Sequence, residues 1–88
     1  MKPPPSAGEM ENALHQLLRK HAFDGPEYIH VAVVGLKSSP IYLVTLGTDV
    51  AKVLGEALAP MLEARTHPSP TSWILFRTDA SAIIKASA

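Results

Sequence analysis

Apolar residues recur at steps of three and four in two stretches of the chain, and they gather into short runs elsewhere. In the first stretch Met10, Ala13, Leu14, Leu17, Leu18 and Ala22 make one stripe, opposite Glu11, Asn12, His15, Gln16, Arg19 and Lys20. That pattern predicts an amphipathic helix with one face built for burial. Ser6 and Glu9 have the spacing of a capping box, in which hydroxyl and carboxylate each satisfy a backbone N–H, and Pro5 and Met10 stand at the staple positions. Glu9 and Glu11 near the start and Arg19, Lys20 and His21 near the end suit the helix dipole without any ligand, and Phe23-Asp24-Gly25-Pro26 stops the helix.

The second stretch opens at Thr48-Asp49 and carries Val50, Val53, Leu54, Ala57, Leu58, Met61 and Leu62 on one stripe. It predicts a helix that ends near Arg65 and is kinked or broken at Pro60, because an interior proline removes a hydrogen bond and crowds the carbonyl four residues back. Pro60 falls on the face of Lys52, Glu56 and Glu63, where water can satisfy the freed carbonyl.

The short runs read as strands. Glu27 to Leu36 is rich in Ile, Val and Tyr, and Ile41 to Leu46 follows after Lys37-Ser38-Ser39-Pro40, a connection suited to an antiparallel hairpin. Pro40 lacks a ladder donor and belongs at a strand end. After the extended linker Thr66 to Thr71 come a third strand, Ser72 to Thr78, a turn at Asp79-Ala80-Ser81 and a short fourth strand, Ala82 to Ala86. Residues 1–5 read as a disordered proline-rich tail and residues 6–88 as one domain. The expected fold class is α+β: a two-layer sandwich of order αββαββ, with a mainly antiparallel four-stranded sheet and two helices. Residues 6–46 and 48–87 would each form one helix-hairpin unit, although the halves share almost no aligned identities beyond the leucine stripes.

A sheet covered on one side alternates apolar and polar residues, and these strands do not. Ile29, Val31 and Val33 oppose Tyr28, His30, Ala32, Val34 and Leu36; Ile41, Leu43 and Thr45 oppose Tyr42, Val44 and Leu46; Trp73, Leu75 and Arg77 oppose Ile74, Phe76 and Thr78, so both faces are largely apolar. Two arrangements follow. Helices on one face would leave the other as an apolar patch that needs a cover, whereas helices on opposite faces would let a monomer bury both. On the first arrangement Tyr28, His30, Tyr42, Trp73 and Phe76 are the candidate partner-binding residues, aromatics being the usual anchors of interfaces.

Composition narrows the function classes. The 88 residues carry eight Lys+Arg against eight Asp+Glu, so the basic excess expected of a nucleic-acid binder is missing, and Arg19-Lys20-His21 is the only basic cluster. No cysteine is present, which excludes disulfides, thiolate zinc sites and cysteine nucleophiles and fits a reducing compartment; the cytoplasm is the expectation. The longest near-apolar stretch, Ile29 to Leu36, is far short of the ~20 residues a membrane helix needs. His15, His21, His30 and His67 have no ligand spacing, so neither metal nor cofactor is expected. Val33 to Ser39 has the outline of a strand leading into a phosphate loop, but it holds one glycine where that loop needs two, and a proline and a strand follow where a helix should.

The expectation is therefore a small non-enzymatic interaction module, a homodimer or a regulator or inhibitor subunit that binds a larger protein complex. The alternative is a small enzyme or enzyme subunit with a site near His30 and Glu27. In element order, though not in any motif residue, the chain resembles the small dimeric roadblock and profilin-like adaptor modules, lacking the final strand and helix of that pattern; the resemblance implies an adaptor that dimerises.

Overall fold

The computed structural model describes residues 4–61 and 71–88. Helix α1 (Ala7–Lys20) leads into strands β1 (Ile29–Leu36) and β2 (Ser39–Leu46), then helix α2 (Thr48–Leu58) with a 3₁₀ turn at Ala59–Met61, strand β3 (Ser72–Leu75) and helix α3 (Arg77–Ser87). The sheet is three-stranded and antiparallel, in the order β1-β2-β3. This αββαβα order corrects the expected αββαββ: there are three helices and three strands, not two and four. The second half is helix, strand, helix, so it does not repeat the first.

The correction has a local cause. Residues 82–86, expected as a fourth strand, lie within α3, and the expected turn at residues 79–81 is its first part. Asp79 Oδ2 accepts the Phe76 N–H at 3.0 Å, satisfying a donor that the helix start would otherwise leave open. Buried Ala80 and Ile83 are three apart, and half-buried Ile84 adjoins them on the same face, a helical period that alanine favours and a strand would not use. The third strand accordingly ends at Leu75 rather than Thr78.

Helix α1 starts as its sequence predicts: Ser6 Oγ accepts the Glu9 N–H at 3.2 Å, and a Glu9 carboxylate oxygen accepts the Ser6 N–H at 3.3 Å. Its end is different. Ala22 lies beyond the stripe with φ 54°, donating its N–H to the Arg19 carbonyl, while Phe23 donates to that of Leu18. This is the six-to-one and five-to-two closure that normally has glycine in the left-handed position. Helix α2 stops at Leu58; Ala59 still has helical backbone angles (φ −49°, ψ −47°) and donates to the Gly55 carbonyl, and the chain passes into a 3₁₀ turn at Pro60, which has no N–H to continue the ladder. The rest of the helix expected to reach Arg65, and the linker expected from Thr66 to Thr71 except Thr71 itself, lie outside the described residues.

The hairpin turn is tighter than the four-residue loop expected: Leu36 pairs with Ser39 across Lys37 and Ser38. The left-handed backbone falls on Gly35, φ 93°, where an added Cβ would stand 3.2 Å from the Ser39 carbonyl oxygen. Pro40 lies past the end of β3, where β2 has β1 as its sole neighbour, so its missing N–H leaves no gap in the second ladder.

One core joins Met10, Leu14, Leu17 and Leu18 of α1, Val50, Leu54 and Leu58 of α2, and Ala80 and Ile83 of α3 to Val31, Tyr42, Val44, Leu46, Trp73 and Leu75. These strand residues all belong to one face, since Val31 pairs with Val44, Val44 with Trp73 and Tyr42 with Leu75. The α2 backbone approaches so closely at Gly55 that a Cβ there would touch the Trp73 ring at 3.7 Å. All three helices therefore share one side of the sheet.

Two stability outcomes follow. Ile83→Ala should cost about 2–5 kcal/mol in urea denaturation, since its side chain is fully buried in the core. Ala22→Gly should raise stability by about 0.5–1 kcal/mol, because glycine adopts this positive φ without the steric penalty; an unchanged or lowered melting temperature would contradict that account of the helix end.

Candidate functional site: the open sheet face

The face of the sheet turned away from the helices carries Ala32, Val34, Ile41, Leu43 and Ile74, with Leu36 at the hairpin end. Among the described residues no element covers it. Leu43, on the central strand where a packed sheet would bury its side chain, is 38% exposed, as is Ile74 beside it. Val34 and Leu36 are exposed more fully. His30, Thr45 and Ser72 border this surface, His30 pairing with Thr45 and Thr45 with Ser72, so polar groups occupy the end away from the hairpin turn. No carboxylate, lysine or arginine lies on the strands themselves.

The five candidate partner-binding residues fall into two groups. Tyr42 and Trp73 are 0% and 3% exposed and belong to the core, so neither offers its ring to a partner in the folded chain. Tyr28 and Phe76 are 60% and 40% exposed and stand next to the ends of β1 and β3, where they flank the open face; His30 is exposed on it. Tyr28 is fixed through its backbone, whose carbonyl accepts the Gly47 N–H at 2.9 Å. Val34, Leu43 and Ile74, which make up the centre of the patch, were grouped correctly by strand alternation, but alternation alone does not say which group faces the helices.

Glu27 and His30, the alternative catalytic pair, are not brought together. Glu27 Oε1 instead lies 2.7 Å from His15 Nδ1 on α1, with Arg19 Nε 3.8 Å away. The contact ties the segment before β1 to the helix across twelve residues of chain. No periodic signal links a helix residue to a loop residue at that separation, and the sequence reading missed His15 for that reason. No group of three or more His, Asp or Glu suited to a metal occurs among the described residues.

On the helix side of the sheet the Tyr42 hydroxyl donates to the Pro5 carbonyl at 2.7 Å. Pro5, expected to belong to a disordered tail, is thus held against the hairpin. Burial raises the Tyr42 phenol above its ordinary value of 10.0; Glu9 adds to the rise and Arg77 opposes it. Comparison with family models, with curated proteins and with solved structures returned no match. No helix among the described residues is long and apolar enough to cross a membrane.

The raised Tyr42 value has a definite pH consequence. The unfolded phenol ionises near 10 while the folded one holds its proton, so its contribution to stability is complete below pH 10 and is lost as pH rises through the folded value. Alkaline denaturation followed by near-ultraviolet absorbance should show loss of fold accompanying ionisation of Tyr42, and Tyr42→Phe should remove that component of the pH dependence.

Proposed function

We propose that this chain is a non-enzymatic interaction module whose working surface is the open face of its sheet, and that the partner is a second copy of itself. The observation that carries the reading is the placement of all three helices on one face, with Ala32, Val34, Ile41, Leu43 and Ile74 left without a described cover on the other. An uncharged apolar patch is complementary to itself, and a two-fold axis through it would set Leu43 and Ile74 of one copy against the same residues of the other. Two sheets packed this way sit about 10 Å apart with interdigitated side chains.

The size of the surface sets the strength. Two eight-residue strands and one of four span at most about 400 Å² of sheet face, against about 800 Å² per partner in a standard interface. The flanking Tyr28, Leu36 and Phe76 must add to the contact, and the dimer should be of modest, roughly micromolar affinity. A charge at the centre of such a face is costly, because it would be buried without a partner.

Sedimentation velocity should therefore show a monomer-dimer equilibrium in the micromolar range. Leu43→Lys and Ile74→Lys should each give a monomer whose melting temperature stays near that of the parent, since both side chains already meet solvent. A parent chain that stays strictly monomeric at high micromolar concentration would overturn self-association.

A further inference from the structure

Strand β1 is an edge of the sheet, with β2 on one side only. Its hairpin closes through the Leu36–Ser39 pair across a two-residue turn, so His30, Ala32, Val34 and Leu36 direct their N–H and C=O groups to β2, while Val31 and Val33 direct theirs outward. One outward donor is taken. Glu11 Oε1, reaching across from α1, accepts the Val31 N–H at 3.2 Å. Two residues on, the Val33 N–H has no such partner among the described residues and the side chain is 41% exposed, and beyond it Gly35 takes a left-handed φ of 93°. The row of outward groups is therefore interrupted on both sides of Val33. A carboxylate is suited to interrupt it, since it accepts the N–H, offers no donor in return and sets a negative charge where the carbonyl of an incoming strand would stand.

We propose that the outer edge of β1 is a strand-pairing surface for a second copy of this chain, and that Glu11 holds it closed. An extended strand is the ligand that a row of outward backbone groups recognises, and with Val31 released the row fits itself. A two-fold axis through Ala32 sets Val31 of one copy opposite Val33 of the other, and the reverse, each pair exchanging both of its backbone hydrogen bonds. The residue on the axis is small, so Ala32 meets its own copy without crowding. The axis stands normal to the sheet, and the two open faces come to lie next to each other on the same side of one joined sheet. Their apolar area then grows from about 400 Å² to about 800 Å², the share of one partner in a standard interface. That gain, which rests on the open-face reading above, favours a second copy over an unrelated strand; the hydrogen-bond match does not depend on it.

The test uses the full chain carrying Glu11→Ala, with sedimentation velocity and amide hydrogen exchange followed over a range of protein concentrations. The variant should self-associate about tenfold more tightly than the parent, the gain expected from freeing a donor held by a charged acceptor, and its Val31 and Val33 amides should exchange more slowly as concentration rises. Glu11→Gln, whose side-chain carbonyl still accepts the N–H, should behave as the parent does. Adding Val33→Pro to Glu11→Ala removes an outward donor without touching the ladder to β2, and it should return association to the parent level, a rescue that loss of stability alone does not produce. A folded Glu11→Ala chain that associates no more tightly than the parent, or exchange at Val31 and Val33 that is independent of concentration, overturns the proposal; a parent that dimerises in the same experiment then leaves the open-face reading standing by itself. A strictly monomeric parent beside a Glu11→Ala chain that pairs through Val31 and Val33 supports the edge and refutes the open-face packing. Should Glu11→Ala not fold, Glu11→Met, a good helix former without a strong acceptor, replaces it under the same criteria.

Discussion

The structure depends on one-sided burial. Tyr42, Val44 and Leu46 of the central strand, with Trp73 and Leu75 beside them, present one apolar face, and three helices are laid against it. Hydrophobic contact is non-directional, so the sheet must decide where the helices go, and alternation along the strands does so only when one face is polar. In this chain both faces are apolar. What breaks the symmetry is size and shape: the helix side has the large rings of Tyr42 and Trp73, which three helices can surround, while the other has the smaller Ala32 and the aliphatic Val34, Leu43 and Ile74.

Much of this was legible in the residues, and the parts that were not have specific physical causes. The capping box at Ser6, the stripe of α1, the hairpin and the interruption at Pro60 all rest on interactions between residues a few positions apart, which a linear pattern records. The strand expected at the end of the chain rested on the adjacent Ile83 and Ile84, whereas Ala82 and Ala86 favour a helix, and a segment of five residues is too short to display a helical period clearly. The helical signal there lay in the Asp79 carboxylate three residues after Phe76, a one-sided version of the cap recognised at Ser6. At the other helix end, Ala22 fills a position where glycine would have been the visible sign.

The candidate surfaces were legible to a different degree. Strand alternation separated Leu43 from Tyr42 and Ile74 from Trp73, but aromatic character alone ranked the buried Tyr42 and Trp73 with the exposed Tyr28 and Phe76. Large rings are favoured both in cores and in interfaces, so residue type does not discriminate between them. Glu27 shows the same limit for polar groups. Its proximity in sequence to His30 said nothing of the fold, which turns it toward His15 on another element.

The neighbourhood of α1 and α3 bears on the order in which the molecule is made. Lys20, at the end of α1, donates to the carbonyls of Ala86 and Ala88, 66 and 68 residues further along, and the apolar faces of the same two helices enter one core. During synthesis α1 emerges with its partner still to be translated, and the loop that must close between them is long, since Lys20 and Ala86 stand 66 residues apart. The hairpin can pair early, but Leu14 and Leu18 keep an incomplete surrounding until Ala80 and Ile83 arrive. Folding of these residues is thus weighted toward a late, concerted step in which α3 docks on α1, and until it does the leucine stripe of α1 stays partly exposed.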